Sequence, residues 1–479
     1  MDCKWSVTRR DFLAASGKIT AGIAAVGALS SCRSASPAVS AGRIRKANEK
    51  INVGIIGIRS RGWALYDDLK QIQDVHIKAL CDVDGNILAQ RAGELEKELG
   101  YKPDTYKDMR RLYEDPSIDA VVIATPNHWH ALATIWACQA GKHVYVEKPA
   151  CHNIWEGRQM IEAARRYDRL VQVGFQNRSI QNVRQAMQFL HEGGIGRVYM
   201  ARGLCYKRRD PIGKVKEGIG TGPDYQYWVF NRPGKLYSAD YMANVDYNMW
   251  TGPAELLPFS YNRFHYNWHW IWNYGGGDTH NQGPHQFDVA RWGLNKKEHP
   301  VKVSSSGGYF GPPSDQETPN IQTANIEYAD GTLLVFETRG LSTSSEEGIR
   351  VGNLFYGTKG WMHVDGSSWK TFFGPDNEPG PSSQQTEESA DPMNASGAGG
   401  GGHIGNFIAA VRTGRREVLT AEVEEGVISS MLPIMANIAY RVGHTLEFDG
   451  SSEKFKDSRP ANKLVKRQGR GEFTIPSYV

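Results

Sequence analysis

Short apolar runs that stop at glycine or an acid alternate with amphipathic stretches over the first third of the chain. Ile51–Gly57 is such a run, and helical spacing of apolar residues follows from Gly62. Val75–Asp82 and Ala120–Ala124 repeat the pattern on either side of a Glu/Lys/Leu-rich helix. Helix Ala131–Ala140, strand His143–Val146, helix Ile154–Tyr167 and strand Leu170–Gly174 continue it. Strands with so few polar positions are buried on both faces, and each intervening helix returns the chain to the same edge. The pattern therefore predicts an α/β, doubly wound parallel sheet.

From Arg197 the period changes to two. Val198–Tyr206, Val301–Tyr309, Thr323–Tyr328, Thr332–Thr338 and Val351–Tyr356 read as strands joined by turns, which predicts an antiparallel sheet. An aromatic-rich excursion (207–275) separates the first two, and 377–402 is a polar Pro/Ser/Gly stretch read as a surface loop. A helical pair (403–413 and 421–442) closes the pattern, and no internal repeat is present. The boundaries that follow are a leader (1–32), a linker (33–48), a nucleotide-binding domain (49–175), an α+β substrate and oligomerisation domain (176–445) and a tail (446–479).

Composition narrows the function classes. With aromatics at 10% of 479 residues, the chain suits a globular enzyme with a carbohydrate-facing surface. A formal charge of +4 without a basic run carrying interleaved aromatics excludes a nucleic-acid partner. The six cysteines have neither zinc-site spacing nor the look of a disulfide framework, so the thiols are expected reduced. His265-x3-His269, with His280 and His285 beyond, has a metal-like spacing but no accompanying Glu in an H-E-x-x-H motif, so no metal is expected.

The leader carries an address. Thr8–Leu13 resembles a twin-arginine export signal, and the apolar stretch Ile19–Leu29 is too short for a permanent span. Leu29-Ser30-Ser31-Cys32 resembles a lipoprotein cleavage box, so the protein is expected to be exported, periplasmic and anchored through a lipidated Cys32.

Gly57-Ile58-Arg59-Ser60-Arg61-Gly62 lies where a dinucleotide fingerprint belongs, between the first strand and the first helix. Arg59 replaces the middle glycine, which limits the approach of backbone to phosphate. Asp82, about twenty residues on, is placed for ribose hydroxyls and favours NAD over NADP.

Ala124-Thr125-Pro126-Asn127-His128-Trp129-His130 and Glu147-Lys148-Pro149 resemble the paired signatures of the Gfo/Idh/MocA oxidoreductases. The Gly275–Asp288 segment resembles that family's substrate-site segment, and Tyr356-Gly357-Thr358-Lys359-Gly360 a turn in its C-terminal sheet. The resemblance implies a Rossmann domain followed by an open-faced antiparallel sheet, with homo-oligomers (dimer or tetramer) common. It implies that Lys148 binds the reacting hydroxyl and that His285 is the general acid/base. Asn281 stands where an aspartate is usual, which removes a carboxylate from the relay. Gly57, Arg59, Ser60, Arg61, Gly62, Asp82, Thr125, Pro126, Asn127, His130, Glu147, Lys148 and Gln176 are the expected NAD-binding residues. Lys148, Arg178, Tyr206, Trp268, Trp272, Asn281 and His285 are the expected substrate residues. Lys207, Arg208 and Arg209 follow a strand end and are further candidates.

No free NAD pool exists outside the cytoplasm, so an exported enzyme must carry its cofactor and regenerate it in place. Three schemes fit. The enzyme oxidises a glycoside hydroxyl, at C3 by preference, and passes electrons onward, its keto-glycoside then cleaved by a partner hydrolase. It couples oxidation of one sugar to reduction of another. Or it completes oxidation, elimination and reduction itself, as a redox-neutral glycoside hydrolase.

Overall fold

The computed structural model describes residues 50–230, 232–384, 401–477 and 479. The leader, with its export and lipoprotein motifs, lies outside the described residues. So does most of the polar stretch, although Glu378–Ser382 within it is a strand.

Six strands form the first sheet: β1 (Ile51–Ile56), β2 (Val75–Cys81), β3 (Asp104–Tyr106), β4 (Ala120–Ile123), β5 (His143–Val146) and β6 (Val171–Val173). Their order is β3-β2-β1-β4-β5-β6, with every pairing parallel. Successive residues of one strand enter opposite cores. Val121 and Ile123 of β4 join one apolar cluster, and Ala120 and Val122 join the other. This accounts for strands that read as continuous apolar runs. The order reverses between β1 and β4, so their C-terminal ends open a crevice, the usual ligand position in such sheets.

The second sheet comprises β7 (Val198–Cys205), β10 (Lys302–Gly308), β11 (Ile321–Glu327), β12 (Leu333–Arg339), β13 (Val351–Gly357), β14 (Gly360–Val364), β15 (Trp369–Phe373), β16 (Glu378–Ser382), β17 (Leu446–Asp449) and β18 (Lys454–Phe455), while β8 (Trp228–Val229) and β9 (Arg232–Pro233) pair apart in the excursion. It runs β16-β15-β14-β13-β7-β12-β11-β10-β17-β18. The antiparallel expectation needs correcting at one pairing, because β7 and β12 run parallel. The long excursion and a helix lie between them, and that length of chain lets β12 return in the same direction. Phe287, Val289 and Ala290 of helix Gly283–Gly293 share a core with Phe336 and Phe355 on one face of this sheet.

The expected tail is part of the body. β17 pairs with β10, and Arg467 donates to Glu156 (2.7 Å) and to the His128 carbonyl (2.5 Å). Phe473 meets Trp129 edge-on at 5.6 Å. Helix Gly402–Thr413 likewise contributes Ile404, Phe407 and Ile408 to the core under β1 and β4. Cys81, Cys138, Cys151 and Cys205 are buried free thiols, and no described helix is long and apolar enough to cross a membrane.

Candidate active site

The crevice widens into a cavity of about 890 Å³ with two unlike walls. One wall is the sheet edge: Gly57, Arg59, Ser60, Arg61, Asp82, Thr125–Asn127, His130, Glu147 and Lys148. The excursion supplies much of the other, through Tyr237, Trp250, Phe264, His265, Trp268 and His269.

The turn after β1 is fixed by sterics. Gly57 has φ +79°, and a Cβ there would lie 2.8 Å from the Ala124 carbonyl; a Cβ on Gly62 would lie 1.8 Å from the Gly57 oxygen. Only glycine fits either place. These are the fingerprint's first and third glycines. The side chain of Arg59 at the middle position turns away along the cleft, with Nη1 3.2 Å from Asp84 Oδ2 and 3.1 Å from His265 Nε2.

Asp82 directly follows β2 and lines the cavity. Its carboxylate accepts the backbone N–H of Ile58 (3.1 Å) and of Asp84 (2.9 Å). Burial, partly offset by those two bonds, pushes its pKa up to about 6. Asp84, which the sequence reading passed over, is the hub of a clasp. It caps helix Gly85–Leu99 and accepts both the Tyr241 hydroxyl (2.7 Å) and Arg59. Backbone bonds from Gly85 to Asn244 and from Asp246 to Val83 extend the contact. Residues 241–246 of the excursion are thereby stitched to the start of that helix. The adjacent Asp-Val-Asp at 82–84 was the available signal.

Deeper in, the Thr125 hydroxyl and the Asn127 amide nitrogen are buried without a described partner, and both residues line the cavity. A buried polar atom left unmatched implies a bound polar group. Those two orphans, Asp82 and the glycine turn suit a dinucleotide lying across the crevice. His130 is a staple beneath it, with Nδ1 2.7 Å from the Pro149 carbonyl and Nε2 2.8 Å from that of Thr125.

At the junction of the walls stands Lys148, buried and preceding a cis Pro149. Its Nζ donates to the backbone carbonyl of Asn281 (2.8 Å) and reaches Asn281 Oδ1 at 3.4 Å. Asn281 also lines the cavity. Glu147 accepts Arg61 Nε at 2.9 Å. Burial pushes its carboxyl up, but Arg61 and Lys148 outweigh that and hold it below the usual range.

Several expected residues fall elsewhere. His285 is fully buried outside the cavity lining, and neither ring nitrogen has a hydrogen-bond partner among the described residues. Its ring stands perpendicular to Phe175 at 6.1 Å, and burial with the charges of Lys148, Arg61 and Lys207 holds its pKa well below the ordinary value. Arg178 is locked to Asp288 by bonds of 2.7 to 3.0 Å, a buried structural pair. The Tyr206 hydroxyl lies 2.9 Å from both Glu337 and Glu346 and shares its one hydrogen between them, outside the cavity. Trp272 packs against Arg441, whose guanidinium carbon lies 5.1 Å from its ring. Gln176 supports Glu147 and Tyr145 from behind, at 2.9 Å each. Trp268 does line the cavity, as do Lys207 and Arg209; Arg208 points outward to Asp210. The His-x3-His spacing falls on a 3-10 helix whose histidines serve Arg59 and the Tyr266 carbonyl. No group of three or more potential metal ligands occurs among the described residues.

Fold and site together define an oxidoreductase built on an NAD-binding Rossmann domain. Two family models match: "Oxidoreductase family, NAD-binding Rossmann fold" over residues 51–175, and "Oxidoreductase family, C-terminal alpha/beta domain" over 212–361 and 396–475. The chain belongs to the Gfo/Idh/MocA family. It is 29% identical over 252 residues to an alpha-N-acetylgalactosaminidase of Shewanella oneidensis, covering 48% of this chain and 53% of that protein. It is 31% identical over 161 residues to a myo-inositol 2-dehydrogenase of Thermotoga maritima, covering 34% and 46%. The match thus spans about half the length of these curated relatives. Among solved structures, levoglucosan dehydrogenase with NADH and levoglucosan aligns with TM-score 0.60 at 19% identity, over 83% of this chain and 99% of the other. Aldose-aldose oxidoreductase from Caulobacter crescentus aligns with TM-score 0.57 at 18% identity, over 84% and 100%. At such identities these structures speak for the fold.

Proposed function

We propose that the protein is an NAD-dependent dehydrogenase of a sugar or glycoside CH–OH group, acting at C3. The observation that carries this reading is the continuity of one cavity from the glycine turn to Lys148 and on to the aromatic excursion. The glycine turn, Asp82, Thr125 and Asn127 would hold the dinucleotide, with Lys148 further along the same cavity and the aromatic wall of Trp250, Phe264 and Trp268 facing them.

NAD, when bound, accepts a hydrogen with two electrons from the substrate carbon. The chain supplies the rest. Lys148 Nζ, oriented by the Asn281 carbonyl, holds the reacting oxygen and stabilises the negative charge that grows on it. Arg61 pairs with Glu147 beside it, so the carboxylate draws less on the lysine's charge. The excursion screens the site from water, and its clasp on Asp84 slows cofactor loss, which suits an exported enzyme regenerating NAD in place. Export and lipid anchoring rest on the leader motifs alone. Assembly with a second copy would use the face of the second sheet away from helix Gly283–Gly293, and a partner hydrolase would cleave the keto-glycoside.

The test is to incubate the holoenzyme with methyl glucoside and trap the product with borodeuteride. Deuterium at C3 supports the reading; deuterium at another carbon corrects the position, and none in any sugar tried contradicts the dehydrogenase. The likeness to an alpha-N-acetylgalactosaminidase favours one second reading, a redox-neutral glycosidase. That reading requires release of free aglycone without net cofactor reduction.

A further inference from the structure

We propose that the substrate is an aryl glycoside, its aromatic aglycone lying against Phe230 and Tyr266 at the mouth of the cavity; this rests on the dehydrogenase reading above. Phe230 is a residue that neither its turn nor the core explains. The register of β8 and β9 pairs Val229 with Arg232 and leaves a two-residue turn that Phe230 opens. Its φ is +49°, in the left-handed region where such a turn favours asparagine or glycine and a bulky side chain is an outlier. Packing does not offset that strain, because Phe230 is 64% exposed and stands outside the aromatic cluster of Tyr227, Tyr237, Trp250 and Phe264. Strain of this kind, held on a cavity wall, marks a functional position.

The exposed ring is the outer end of a ladder. Its centroid lies 4.2 Å from that of Tyr266, Tyr266 lies 4.7 Å from His269, and His269 stacks on Trp268 at 3.6 Å. All four rings line the cavity, and exposure falls from Phe230 through the half-buried Tyr266 and His269 to the buried Trp268. The inner rings belong to the side of the cavity that holds Lys148. They sit on the 3-10 helix His265–Trp270, which packs against helix Gly277–Asn281. Asn281 of that helix accepts Lys148, and its Asp278 accepts both Nε and Nη2 of Arg209 at 2.8 Å. Tyr266 lies within charge range of the same arginine.

The surroundings of the outer ring select among flat ligands. Along the hairpin the lining beside Phe230 is Val229, Pro233 and Gly234, whose side chains offer no donor or acceptor. A second sugar ring would face its hydroxyls onto apolar carbon there. An arene forfeits no hydrogen bond and gains ring contacts with Phe230 and Tyr266. No bond is made or broken at this subsite; it holds the aglycone while the sugar hydroxyl meets Lys148.

The experiment follows reduction of the bound cofactor in the holoenzyme by its near-ultraviolet band, over a range of concentrations of methyl glucoside, phenyl glucoside and methyl cellobioside. Phenyl glucoside should half-saturate at about a tenth of the methyl glucoside concentration. Phe230→Ala and Phe230→Asn should each cut that preference to less than about threefold, and Phe230→Trp should keep it. Asparagine suits the turn, so the Tm of Phe230→Asn should not fall, and a lost preference there is not a lost fold. A native preference below about threefold overturns the proposal, as does a preference that survives both replacements. Tighter use of methyl cellobioside than of phenyl glucoside overturns it in favour of a second sugar ring. Weakened NAD binding in Phe230→Asn with the aryl preference intact overturns it by placing the ring on the cofactor. If no glycoside reduces the cofactor, the dehydrogenase reading fails. Equilibrium dialysis of phenyl and methyl glucoside against the native protein and Phe230→Asn then decides the aromatic subsite separately.

Discussion

The two walls of the cavity are made in opposite ways. On the sheet side, position comes from the backbone: residues at the ends of parallel strands, a turn only glycine can make, and caps that hold Asp82 and Asp84. On the excursion side regular structure is confined to short helices and one two-stranded pair. Position there comes from an aromatic cluster of Tyr227, Tyr237, Trp250, Tyr261, Phe264 and Tyr274 packed among themselves. A cofactor common to a whole family needs a wall that does not change. A substrate that differs from member to member needs one that can be rebuilt by repacking side chains.

The contrast is sharpest where the walls meet. Lys148→Ala should leave NAD affinity near native and cut turnover by at least about a hundredfold, because it removes the charge that stabilises the oxygen in the transition state. A variant keeping more than about a tenth of native turnover would mean the junction is not where the reaction occurs.

Next in size is a pH effect confined to the sheet wall. Burial pushes the Asp82 pKa up to about 6, and only the ionised form accepts hydroxyl bonds with both oxygens. Below that point the free protein binds a proton that NAD must displace. Affinity should therefore fall on the order of tenfold for each pH unit below it, as equilibrium dialysis would show. An affinity flat across that range, with Asp82→Asn equally flat, would remove Asp82 from the cofactor site.

The clasp should matter to kinetics more than to turnover. Asp84→Ala cuts the bonds to Tyr241 and Arg59, and cofactor release measured by stopped flow should quicken by about tenfold. Unchanged release would mean the excursion does not retain the cofactor. Smallest of all, Tyr206→Phe should change neither turnover nor NAD affinity by more than about twofold, since its hydroxyl serves Glu337 and Glu346 beyond the cavity.

The sequence spoke clearly for one wall and poorly for the other. Strand-and-glycine signals found β1, β2, β4, β5 and β6 but not the three-residue β3, and with the family motifs they found most of the lining from Gly57 to Lys148, because there the chemistry sits at fixed offsets from regular elements. The substrate side was read through motif position, which says where a residue falls along the chain but not which way its helix turns it. That is why Arg178, bound to Asp288, was expected in a cavity it does not line, while His285, set behind the lining, is reached by the charge of Lys148. Tyr206 and Trp272 failed for the same reason. Tyr206 follows a strand end and Trp272 a short 3-10 helix, and long-range pairing with Glu337 and Arg441 decided which way each points. The parallel β7–β12 pairing and the docking of residues 446–479 depend on contacts distant in sequence, which local pattern does not carry.

The most direct test of the account is an absorbance scan of the purified protein, without added cofactor, before and after methyl glucoside and related sugars. A reduced-nicotinamide band that grows on adding sugar is the predicted result, showing NAD held through purification and reduced in place. No band with any sugar, even after NAD is supplied, would contradict the dehydrogenase.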